Sequence, residues 1–382
     1  MNISFDAVPL ISDRMTGIGW CEAGQTMALA RLYPENRYTY SFFSRKDDHI
    51  KLERIAPFAG KNINTRLVHF SGYIYRAAST FLPVPYSTFF GTSDDLTHFF
   101  NYIVPPGVKG KTVVTVHDMV YKAFPETVRA RTKYMLNSGL KQSMNRADMI
   151  VTDSQFSKDE IIKYFPQHSD KIRVVQCGVD LEKFRPCTEP ERIPEVKKSL
   201  GIEGDYFLYL GTIEPRKNLE RLIKAYHICT QRIGSDLPKL VLAGGKGWLY
   251  DSIFAKVTEL GLTDRVIFTK YVPSEDMNPL MCGAVAFVFP SIYEGFGMPP
   301  LEAMACGVPV LASDAASLPE VTGDCAVICN AYSEESIAEG LLRLYDDTAL
   351  RADLSRRGLE RASQFTWDAS AKQLYNVYKE LF

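Results

Sequence analysis

Two carboxylates, two adjacent cations and one histidine have the types and the spacing to do chemistry in this chain. Glu294 and Glu302 stand with seven residues between them in PSIYEGFGMPPLEAMACGVP, residues 290–309. Arg216 and Lys217 stand in TIEPRKN, residues 212–218, and His117 lies in KTVVTVHD, residues 111–118. Adjacent Arg and Lys suit a diphosphate, the guanidinium as a bidentate fork and the ammonium as a point charge. Ionised carboxylates accept hydrogen bonds from hydroxyls. Each residue also has a plainer reading. Glu302 suits a charge beside a helix N-terminus, Glu294 a solvated loop, and Arg216–Lys217 two exposed cations. A lone histidine is more often structural than catalytic. His117, however, is at the end of a strand, where residues of a parallel sheet face the binding crevice. Asp118 reads as a cap of the next element.

The elements around these residues can be read from local pattern. Ala284–Phe289, AVAFVF, is a buried parallel strand. Gly295 and Gly297 follow in a loop where backbone can approach a ligand. Pro299 and Pro300 fit the first helical turn, where a missing N–H costs nothing. That first turn is also predicted to hold Glu302. Gly307 ends the helix, and Val308–Ala312 is another strand. Strand, glycine loop, helix N-terminus and strand together present free N–H groups to phosphate or sugar oxygens. Arg216 and Lys217 follow the strand Tyr206–Gly211. They precede an amphipathic helix, Leu219–Ile233, whose predicted N-cap is Asn218. Near the start, Gly17 and Gly19 make a turn from a first strand into a helix; a lone G-x-G is weak evidence by itself.

Composition bounds the rest. The chain has 382 residues, 46% hydrophobic and 23% charged, with net charge -1. That suggests two globular domains and no nucleic-acid partner. Charge is uneven, because residues 1–185 carry 24 basic and 18 acidic side chains. Residues 127–147 read as a basic helix, and residues 70–103 are rich in aromatics. Those features fit either ordinary packing and a solvated face or peripheral contact with an anionic membrane surface. No signal peptide or membrane span is visible. The eight cysteines form no CxxC pair, so neither a disulfide framework nor a metal site is predicted. Asp47–Asp48 and Asp94–Asp95 read as solvated turns, and no Asp-x-Asp set sits on a suitable loop.

Repeated βα units in both halves predict an α/β protein with two doubly wound parallel sheets. The Glu-x7-Glu string and Gly-x3-4-Pro-Arg-Lys-Asn resemble the signatures of retaining glycosyltransferases of the GT-B fold, family 4, near its bacterial mannosyltransferase-like branch. The resemblance implies two Rossmann-like domains facing across a cleft. The acceptor-side domain is 1–185, the linker 186–204, with one short helix around 195–200, and the donor-binding domain 205–365. A last helix, 366–382, returns to the first domain with Trp367 as its apolar anchor. It implies catalytic roles for His117, Glu294, Arg216 and Lys217. Donor contacts are implied at Gly17, Gly19, Thr212, Val272, Gly295, Phe296, Gly297, Met298, Pro299 and Glu302. In that picture Arg216 and Lys217 neutralise the departing diphosphate, and His117 contacts the transferred sugar. Glu294 and the loop N–H groups hold sugar hydroxyls, and Glu302 holds the ribose.

The substrate is then a sugar nucleotide, GDP-mannose before a UDP-sugar, and the acceptor a glycan or lipid-linked glycan. No cofactor or metal is expected, and the compartment is the cytoplasm or the cytoplasmic face of a membrane. The fold also hosts sugar-nucleotide epimerases, and a catalytically silent assembly partner is the non-enzyme alternative.

Overall fold

The computed structural model describes residues 1–13, 15–72, 74–75, 84–245, 247–248 and 250–382. The chain forms two compact units: Met1–Gly178 with Trp367–Phe382, and Val179–Thr366.

The first unit is built on β1 (Asn2–Asp6), β2 (Arg37–Ser44), β3 (Ile63–His69), β4 (Leu96–Phe99), β5 (Lys111–Thr115), β6 (Met149–Thr152) and β7 (Ile172–Val174). These pair in the order β3-β2-β1-β4-β5-β6-β7, every pair parallel. The second unit holds β8 (Tyr206–Leu210), β9 (Lys239–Ala243), β10 (Val266–Lys270), β11 (Ala286–Phe289), β12 (Val310–Ser313) and β13 (Val327–Cys329). Their order is β10-β9-β8-β11-β12-β13, again all parallel. Every residue of YFLYL and AFVF is buried in β8 and β11. A strand covered by helices on both faces has no reason to alternate, and these two do not. In both sheets the order reverses once, between β1 and β4 and between β8 and β11. In open parallel sheets, such a reversal leaves a crevice at the strands' carboxyl ends.

The last helix, Trp367–Lys379, belongs to the first unit. A Cβ on Gly24 would lie 2.2 Å from the Trp367 ring, so the indole occupies the space the glycine leaves. Beyond it, Gln25 Nε2 donates to Ser370 Oγ at 3.0 Å. Buried His98 sits between the Tyr378 hydroxyl (2.7 Å) and Thr115 Oγ1 (2.8 Å). The aromatic stretch is core. Tyr75, Tyr86, Phe90 and Phe99 are buried, with Phe90 4.7 Å from Phe43 and 4.4 Å from Tyr86 between ring centroids. Tyr73 and Phe81 of that stretch lie outside the described residues. The helix Ala130–Arg146 buries Leu136, Leu140 and Met144 and exposes Arg131, Tyr134 and Lys141.

Two expectations change. The first unit ends at Gly178, not 185. The Val179 N–H donates to Phe365 O at 2.9 Å, and Asn278 Nδ2 donates to Arg185 O at 2.8 Å, so 179–185 is held by the second unit. Residues 186–204 hold the short helix expected in the linker. It spans Arg192–Ser199, with Val196 buried and Arg192 paired to Asp276 at 2.8 Å. Of the aspartate pairs, Asp47 and Asp95 are exposed as expected, but Asp94 takes both arms of Arg66 at 2.7 and 3.0 Å, and Asp48 begins the helix Asp48–Ala59.

Candidate active site

In the second unit, the loops after β8 and after β11 flank the point where strand order reverses. That placement brings Arg216 and Lys217 to Glu294, 78 and 77 residues on. Arg216 Nη1 donates to Glu294 Oε2 at 2.7 Å and to Tyr293 O at 2.8 Å. Lys217 Nζ donates to Glu294 Oε1 at 2.6 Å and lies 4.9 Å from the centre of the Phe289 ring. Arg216 also pairs with Glu214 Oε1 at 2.8 Å. Glu214, Lys217 and Glu294 are buried. Sequence reasoning passed over Glu214, although it stands two residues before Arg216. The two cations and two carboxylates sum to zero charge, which is what makes their burial tolerable.

Burial pushes the Glu294 carboxyl up, but Arg216 and Lys217 outweigh it and hold the group down at about 2. Burial pushes the Lys217 ammonium below its usual range, Arg216 adds to that, and Glu294 opposes it.

Backbone geometry holds the loops together. The Ile292 N–H donates to Arg216 O at 3.0 Å. Ser317 Oγ donates to Glu294 O at 3.0 Å and to Phe296 O at 2.7 Å. Asn218 is not a side-chain cap: it adopts φ 62° and its amide donates to Pro290 O and Ala331 O at 2.9 and 2.7 Å. Gly297 (φ 108°) begins the helix Met298–Ala305, and a Cβ there would meet Leu318 at 2.6 Å. The prolines sit in the first turn as predicted. Glu302 does not: it is in the second turn, beyond the strongest field of the helix end. Its carboxyl is pushed up to about 7, by burial first, with Lys183 opposing and Asp180 adding. Thr212 precedes Glu214 by two residues, and Val272 is buried just after β10.

Gly17, Gly19 and His117 belong to the first unit. Gly17 and Gly19 are the first and third residues of the helix Gly17–Leu32. A Cβ on Gly19 would press on Pro9 O at 3.2 Å, whereas Gly17 has open space. His117 lies two residues beyond β5 and is buried with both ring nitrogens engaged. Nδ1 is 2.6 Å from Asp153 Oδ2 and Nε2 is 2.7 Å from Phe100 O. A neutral imidazole donates once, yet both nitrogens face acceptors, which fits the doubly protonated ring. Burial lowers the His117 pKa, but Asp153, with help from Cys21 and Phe100 O, pushes it up to about 9. Asp153 was missed in the sequence because its partner lies 36 residues away.

Residues 26–183 match the family model described as Glycosyltransferase Family 4, and residues 193–361 the one described as Glycosyl transferases group 1. The chain is similar to O-antigen chain mannosyltransferase B of Escherichia coli, 37% identical over 291 residues, 75% of each chain. This chain is a family 4, group 1 glycosyltransferase. A second relative of this glycosyltransferase is the serotype-specific mannosyltransferase WbdA of Escherichia coli, 30% identical over 75% of this chain and 35% of that longer protein. Its fold is shared by sucrose-phosphate synthase of Thermosynechococcus elongatus: TM-score 0.76, 21% identity, covering 100% of this chain and 99% of that one.

Two outcomes test the site. Lys217→Ala leaves buried Glu294 with Arg216 as its one cation. It should cost about 1–3 kcal/mol in unfolding free energy and lower turnover by about 100-fold or more. Turnover within twofold of wild type removes Lys217 from the mechanism. Glu302 binds its proton more tightly folded (about 7) than at its ordinary value of 4.5, so its ionisation lowers stability as pH rises from 4.5 through 7. Glu302→Gln should therefore stabilise at pH 8 by about 1–2 kcal/mol and not at pH 4. That is a discounted share of the roughly 1.4 kcal/mol per pKa unit, because the side chain is not fully buried. Equal melting temperatures at pH 8 would contradict the raised pKa.

Proposed function

We propose that this glycosyltransferase moves mannose from GDP-mannose, with retention of configuration, to a hydroxyl of a glycan or lipid-linked glycan during assembly of a surface polysaccharide. The observation that carries the reading is the Arg216–Lys217–Glu294 cluster beside the strand-order reversal, in a chain similar over three quarters of its length to an O-antigen mannosyltransferase.

As the glycosidic bond breaks, negative charge grows on the diphosphate. Arg216 turns its fork from Glu214 to the phosphate oxygens, and Lys217 adds its charge at close range. Glu294, kept ionised, and the N–H groups at Gly295–Met298 bind sugar hydroxyls, with Phe296 and Pro299 shaping that loop. Glu302 accepts from the ribose, Thr212 lines the diphosphate, and the backbone at Val272 meets the base. For the first unit the proposal rests on the family resemblance alone, which gives Gly17 and Gly19 as donor contacts and the His117 imidazolium as a positive charge for the transferred sugar. The leaving phosphate takes the acceptor proton. The reaction as proposed uses no metal.

Donor choice is read by thermal shift with GDP, UDP, ADP and their common sugar conjugates. At a hundred times its Kd, a ligand of the folded state stabilises by about 2.7 kcal/mol. GDP and GDP-mannose alone should do so; stabilisation by UDP compounds alone discards mannose and keeps the glycosyltransferase.

The exposed Arg131 and Lys141, beside Tyr134 at 73% exposure, support peripheral contact with an anionic membrane surface. Among the described residues, no helix is long and apolar enough to cross a membrane. The protein should sediment with vesicles containing anionic phospholipid at low salt and be released at high salt. Protein left in the supernatant at low salt ends this part of the proposal.

A further inference from the structure

Behind His117, the first unit buries a set of donor atoms that sugar transfer does not use. Cys21 is on the helix Gly17–Leu32, Asp153 follows β6 and Cys177 follows β7. Their ligating atoms all lie within 4.8 Å of one another, and the two sulfurs are 3.4 Å apart. The three residues are 2%, 4% and 3% exposed. Asp153 gives Oδ2 to His117, while its Oδ1 is buried without a hydrogen-bond partner. A buried carboxylate oxygen left unpaired is costly and asks for a group to satisfy it.

We propose that Cys21, Cys177 and Asp153 Oδ1 bind one zinc ion, which ties the first helix to the strand ends of β6 and β7. Two sulfurs on a tetrahedral zinc at ~2.3 Å stand about 3.8 Å apart, so this pair needs to open by only a few tenths of an ångström. A disulfide would need the same sulfurs to close to about 2.05 Å. Zinc enters as two S–H protons leave to solvent and two Zn–S bonds form, with no electron transferred. Thiolate donors select zinc over magnesium or calcium. The ligands come from positions 21, 153 and 177, so ligation staples segments that only folding brings together.

The test uses the full chain, reduced, freed of metal with a chelator and titrated with Co2+ without oxygen. A thiolate-to-cobalt charge-transfer band should grow to one cobalt per chain and disappear when one equivalent of Zn2+ is added. Cys21→Ser and Cys177→Ser should each abolish the band. Cys282→Ser should keep it, because Cys282 packs with Cys306 in the second unit. Zinc should also raise the melting temperature of the chelated wild-type chain by several degrees, a readout that stands if the serine variants fold poorly. The proposal is overturned by no band in the wild type, by a band that survives in Cys21→Ser or is lost in Cys282→Ser, or by a melting temperature that zinc does not move.

Discussion

Glu294 lies between two cations, and the second unit's site depends on that arrangement. Its two oxygens take Arg216 and Lys217 separately, at 2.7 and 2.6 Å. Neither cation is on the strand that delivers the carboxylate. The contact exists because β8 and β11 are neighbours in the sheet although 75 residues lie between Leu210 and Ala286 in the chain. The apolar runs of those strands fix the sheet, and the reversal of strand order opens the crevice into which both loops project. Glu214 completes the charge balance. With four groups at net zero, the cluster can be held dry without an uncompensated charge.

The same constraint explains the loop backbone. A carboxylate placed to a few tenths of an ångström needs a loop that cannot shift, and Ser317 fixes the carbonyls of Glu294 and Phe296. Gly297 takes φ 108° with Leu318 against its missing side chain, so the helix Met298–Ala305 starts at one fixed point. Asn218 in the left-handed region serves the same end, since its amide spans the carbonyls of Pro290 and Ala331. A capping role would have held one helix end; this one holds three segments.

The first unit solves a different problem. His117 is enclosed by Asp153 and Phe100 O, so its charge is set by a carboxylate that is itself buried. The last helix fills the other flank of this unit, where Gly24 makes room for Trp367 and His98 bridges Tyr378 and Thr115.

What the sequence determined by itself was local. Continuous apolar runs such as YFLYL and AFVF identify buried parallel strands, the double proline marks a helix start, and the repeating βα pattern implies two parallel sheets. The residues at the strand ends after β8 and β11 were legible for the same reason. The edge strand β3, INTRLVH, was not, because its half-exposed positions carry no clear period. Tertiary structure decided whatever required distant segments to meet. Arg216 and Lys217 clamp Glu294, Asp153 charges His117, and Cys21 lies 3.4 Å from Cys177 across 156 residues of chain. Glu302 has a raised pKa because of what buries it, and the segment after 178 belongs to the second unit because Phe365 and Asn278 hold it. Periodicity reports which face of an element is apolar; pair distances and desolvation depend on which elements become neighbours, and that is fixed only when the sheets close.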